Sequence, residues 1–123
     1  MNKLLKLFLV VFLLASLAVA LDHIVVTEPT SDQKLGSTVT VKWDTSQIPT
    51  GLKTTDNVSV RIHCGKQSVP PKAVPHEPFT DGKKDIFVPD NSDLDGATCQ
   101  ALIFDEDSSA DISGISKSFK LTK

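Results

Sequence analysis

Hydrophobic and polar residues alternate along most of the chain after position 20. Val39, Val41 and Trp43 interleave with Thr38, Thr40 and Lys42. Val58, Val60, Ile62 and Cys64 interleave with Ser59, Arg61 and His63. A period of two places each apolar set on one face of an extended strand. Shorter runs at 24–27, 86–88, 99–104 and 118–121 read the same way. Turn residues separate them at Glu28-Pro29, Leu35-Gly36-Ser37, Pro49-Thr50-Gly51, Asp81-Gly82, Asp95-Gly96 and Ser113-Gly114. No stretch of 21–123 sustains a helical period. The pattern predicts an all-β, antiparallel β-sandwich of about seven strands, immunoglobulin- or fibronectin-III-like. Trp43 precedes both cysteines, whereas an immunoglobulin domain has its Trp between them.

Two segments depart from simple alternation. In 99–104, Cys99, Ala101 and Ile103 share one face and leave Leu102 and Phe104 on the other, so that strand is covered on both sides or shifts phase at a bulge. The stretch 69–79 holds four prolines, Pro70, Pro71, Pro75 and Pro78. Proline gives no N–H to a ladder, so a stiff surface loop is expected there. Its Lys72, His76, Glu77 and Phe79 are candidate ligand contacts, and a plain crossover between sheets is the competing reading.

The first twenty residues have a different character. Lys3 and Lys6 precede eleven uncharged residues, 7–17, and Ala18-Val19-Ala20 puts small residues where a signal peptidase reads. That is the layout of a secretory signal peptide at 1–20, too short to span a hydrocarbon core of about 30 Å comfortably. Residues 21–123 then form one small secreted domain. The whole chain carries a net charge of −2, and removing Lys3 and Lys6 leaves 11 basic against 15 acidic residues. A mildly acidic domain without a Lys/Arg cluster is a poor match for nucleic acid or an anionic membrane. No GPI tail is expected, so the product is predicted to be extracellular and free of the membrane. Cys64 and Cys99 are then expected to form a disulfide.

Chemistry-bearing motifs are sparse. Asn57-Val58-Ser59 is an N-glycosylation sequon. Asn91 to Gly96 has the oxygen spacing of half a calcium loop, but Leu102 stands at position twelve where Glu belongs, so an interstrand turn is the better reading. Asp105-Glu106-Asp107, with Asp111, forms an acidic cluster that reads as a solvated loop before it reads as a cation site. His23, His63 and His76 are scattered and join no catalytic motif. No catalytic, cofactor or metal site is assigned. Tyr is absent, and Trp43 is in phase with core residues, so Phe79 and Phe104 are the rings left for a sugar to stack on.

A resemblance runs through most of the chain. Glu28-Pro29-Thr30-Ser31 followed by Leu35-Gly36-Ser37-Thr38-Val39-Thr40-Val41-Lys42-Trp43 resembles the opening of a fungal extracellular module. Asp85-Ile86-Phe87-Val88-Pro89 with Asp93-Leu94-Asp95-Gly96 is similar to its centre, and Ser116 to Leu121 to its close. That module begins yeast cell-wall synthesis proteins linked to β-1,6-glucan and occurs in Ser/Thr-rich GPI-anchored surface proteins. Phe87 stands where the family usually has Trp, and the chain is expected to lack the Ser/Thr-rich stalk and GPI signal that members often carry. The resemblance implies a secreted, cell-wall-associated β-sandwich with no catalytic residues to carry over. The expected function is a non-catalytic binding or structural module whose partner is wall polysaccharide or a surface glycoprotein. A small secreted effector acting on another organism is the alternative, and a small carbohydrate-active enzyme is the remote one.

Overall fold

The alternating segments become strands whose apolar faces meet between two sheets. The structure, a computed structural model, describes residues 22–65, 67–107 and 112–123. The expected signal peptide at 1–20 with its expected cleavage site, and Asp111, lie outside these residues, as does the side chain of Lys72. The described strands are β1 (Val26–Glu28), β2 (Gln33–Lys34), β3 (Thr38–Trp43), β4 (Asn57–Cys64), β5 (Gln67–Pro78), β6 (Lys83–Phe87), β7 (Thr98–Asp105), β8 (Ser113–Ile115) and β9 (Phe119–Thr122). One sheet has the order β1-β3-β6. The other has the order β2-β9-β7-β4-β5, with β8 also paired to β7. The chain is therefore all-β and a sandwich. Nine strands appear where about seven were expected, because β2 and β8 span only two or three residues, too few to show a period, and the proline-rich β5 reads as a loop. Pairing is antiparallel apart from β2, which runs parallel to β9 over two residues. The Leu35 N–H then closes on the Thr122 carbonyl at 2.8 Å, and Gly36, at φ 74°, turns the chain into β3.

The inner faces carry the residues that the alternation assigned to them. Val39, Val41, Trp43 and Ile86 come from the three-stranded sheet, and Val58, Val60, Ile62, Cys99, Ala101, Ile103, Phe119 and Leu121 from the other. Trp43 is 4% exposed, and its indole N–H donates to the Phe79 carbonyl at 2.7 Å. Cys64 and Cys99 are direct partners on β4 and β7, 4.2 Å apart at Cα, and are joined as a disulfide. The bridge ties neighbouring strands of one sheet, unlike the inter-sheet bridge of an antibody domain. Gly114 in β8 lies so close to Ile24 that an added Cβ would stand 2.2 Å from the Ile24 carbonyl oxygen.

The proline-rich stretch corrects the loop expectation. It is β5, an edge strand. Between Glu77 and Val74 it advances three residues against two of β4, and between Val74 and Val69 five against two. These bulges leave prolines out of the ladder, and an edge strand has one side with no partner to supply. His76 takes a left-handed turn, φ 61°, at the first bulge. Phe79 is also corrected: it begins a 3-10 turn, Phe79–Asp81, and is fully buried in the core, its carbonyl accepting the Trp43 indole N–H. The Glu77 carboxylate pairs with Lys84 at 3.3 Å, linking β5 to β6 across the two sheets.

Candidate binding face

The outward residues of β3 and β6 form a flat polar surface with one ring on it. Register pairs Thr38 with Phe87, Thr40 with Asp85 and Lys42 with Lys83. Because Val39, Val41 and Ile86 point inward, all six of these face solvent. Phe87 is 62% exposed and is the one exposed Phe or Trp ring among the described residues. The Thr40 hydroxyl donates to Asp85 Oδ1 at 2.7 Å, and Lys42 Nζ lies 3.6 Å from the Glu28 carboxylate. Next to Thr38 the surface dips into a polar hollow of about 250 Å³, lined by Glu28, Pro29, Thr30, Ser31, Gln33, Thr38 and Thr40. The face thus offers an apolar ring beside hydroxyls, carboxylates and an amide. A pyranose presents the same combination, with C–H groups on one side and hydroxyls at its rim.

Phe87 is the ring that sequence reasoning passed over in favour of Phe79 and Phe104. Its signal was the alternation in Asp85-Ile86-Phe87, where an inward Ile86 forces its neighbours outward. Phe104 is half-buried, with the Arg61 guanidinium 5.7 Å from its ring centre. Phe104 also lines an apolar cleft of about 450 Å³, with His23, Leu102 and Ile115 together with Ser113 and Gly114. This cleft is larger than the hollow beside Thr38, but its walls are mostly aliphatic and offer few groups to satisfy sugar hydroxyls.

Several residues marked in the sequence meet at one end of the sandwich. Glu106 accepts a short hydrogen bond from the Ser59 hydroxyl and one from the His76 backbone N–H at 3.1 Å, and its second oxygen lies 3.0 Å from His76 Nδ1. The Ser59 hydroxyl, aided by the His76 N–H and ring, holds the Glu106 carboxyl below the usual carboxylate range against the opposing pull of desolvation. The carboxylate stands between serine and histidine. A nucleophilic triad needs the histidine in the middle, so His76 does not reach the Ser59 hydroxyl as a base here. Beside this network the carboxylates of Asp56, Asp105 and Asp107 approach within 4.8 Å of one another. They are the described residues whose oxygens have the hard character to hold a cation jointly. Each also accepts a backbone N–H, from Lys53, Asp107 and Asn57 respectively. The Asn91 stretch forms the interstrand turn that was expected: the Asn91 side chain accepts the Asp93 N–H, and Leu94 is buried.

Comparison with protein-family models, with curated proteins and with solved structures finds no match to this chain. Among the described residues no helix is long and apolar enough to cross a membrane.

Proposed function

We propose that this chain is a secreted, non-catalytic binding module that takes wall polysaccharide on the outer face of its three-stranded sheet. The observation that carries the reading is Phe87, a ring 62% exposed on an otherwise polar strand pair. A phenyl ring held in water on a rigid sheet, flanked by Thr38, Thr40 and Asp85, suits C–H stacking of a sugar with hydrogen bonds at its edge. The paired cysteines and the leader-like first twenty residues support work outside the cell. The motif resemblance supports a wall polysaccharide as the partner class.

The test is a binding isotherm on insoluble β-glucan and chitin for the wild type and Phe87→Ala. Losing a contacting ring is expected to weaken retention about tenfold, equivalent to roughly 1.4 kcal/mol. Because the ring is exposed, the thermal midpoint is expected to move little. Equal retention by the two proteins on every polysaccharide bound, or no binding at all, refutes the proposal.

A further inference from the structure

We infer that Asn57 accepts its glycan only before β4 pairs with β7, so that N-glycosylation of this chain competes with folding. The sequon Asn57-Val58-Ser59 forms the first three residues of β4, between β5 and β7. Val58 is fully buried, and Ser59 is 6% exposed. The Ser59 hydroxyl, which an acceptor sequon must present to the transferring enzyme, is held by Glu106. The Asn57 N–H donates to Asp107 at 2.6 Å, and its carbonyl accepts from the Glu106 N–H at 3.0 Å. The acceptor tripeptide is therefore clamped along its backbone and shielded at its third position. Asn57 itself is half-buried at the start of the strand, so part of its surface stays open to solvent in the folded domain.

The covalent step is ordinary glycosyl transfer from a lipid-pyrophosphate-linked oligosaccharide. A bond forms between the anomeric carbon and the Asn57 amide nitrogen, and the bond from that carbon to the pyrophosphate oxygen breaks. The lipid pyrophosphate leaves with the electron pair, and the amide proton passes to the enzyme's base. Nothing in this chain catalyses the step. What the fold controls is access. Ser59 is covered by Glu106, which follows β7 directly, and the Cys64–Cys99 bridge ties β7 to β4 at the far end of both strands.

The inference rests on entry into the secretory route, but its chemistry can be tested separately from that. The purified chain is incubated with oligosaccharyltransferase and a lipid-pyrophosphate oligosaccharide, at a urea concentration between the unfolding midpoints of the reduced and oxidised protein, in three forms: oxidised and folded, reduced, alkylated and unfolded, and as the Cys64→Ser/Cys99→Ser variant. Glycan addition is read by intact mass and located by its loss in Asn57→Gln. The reduced chain is expected to be modified at Asn57, and the folded chain roughly a hundredfold more slowly or less, because a core strand must open first. The double serine variant is expected to fall between them, in proportion to its unfolded fraction. Equal rates for folded and reduced chains overturn the inference, as does failure of the reduced chain to accept at all. Failure of polysaccharide binding leaves this result unaffected, and the reverse also holds.

Discussion

Replacing Trp43 by Phe tests the packing account at its most demanding point. The indole is 4% exposed, and its N–H reaches the carbonyl of Phe79, a residue with no exposed surface. Phenyl keeps an aromatic ring but deletes the five-membered part of the indole. Two lost carbons remove about 1.5 kcal/mol of burial. The Phe79 carbonyl, left buried without its donor, costs about 1–2 kcal/mol more. The expected loss is about 3 kcal/mol, and since a domain of this size is stable by roughly 5–15 kcal/mol the variant still folds at room temperature. At about 4–8 °C per kcal/mol, the midpoint is expected to fall by roughly 10–20 °C in a melt followed by far-ultraviolet circular dichroism. Trp43 is the sole tryptophan, so the wild type provides a companion measurement: emission of a shielded indole that shifts to the red on unfolding. A Trp43→Phe protein that melts within a few degrees of wild type refutes both the burial and the hydrogen bond.

Reducing the Cys64–Cys99 bridge, which closes a separation of 35 residues, is expected to cost about 4 kcal/mol, seen as a lower urea midpoint in the presence of a reductant. Gly114→Ala is expected to destabilise by about 3 kcal/mol or more in the same assay, since the new methyl meets backbone at Ile24, which cannot swing away. Glu106 has its pKa lowered in the folded state, so its contribution is complete above its ordinary value and is lost as pH falls through the lowered one. Glu106→Gln is therefore expected to flatten the stability profile on the acid side, and an unchanged slope below pH 4.5 counts against the Ser59 and His76 contacts.

The inner face was legible because it is a local property. Val39, Val41, Trp43, Val58, Val60, Ile62 and Cys64 repeat every second residue, and each is buried. The Cys64–Cys99 pair followed from an even count of cysteines in a chain read as exported. β5 was not legible, because four prolines look like a loop until it is known that their strand lies at an edge and bulges twice. Phe79 was misplaced for the same reason: next to Pro78 it had no alternation to fix its side. The acidic cluster shows the other limit. Asp105 and Asp107 are neighbours in sequence, but Asp56 joins them only because β4 and β7 pair, and no local pattern announces that. Phe87 could have been found from Ile86, but the exposed ring gains meaning only beside Thr38, Thr40 and Asp85, which β3–β6 register supplies.

The most direct test of the binding reading is to locate the ligand on the molecule. Amide resonances of the isotopically labelled protein are followed during titration with soluble glucan and chitin oligosaccharides. The account expects the largest shifts at Thr38, Thr40, Asp85 and Phe87 and along the hollow at Thr30, Ser31 and Gln33, with little change at Arg61, Leu102 and Ile115. Shifts centred on the Leu102–Phe104–Ile115 cleft, or none with any oligosaccharide, contradict it.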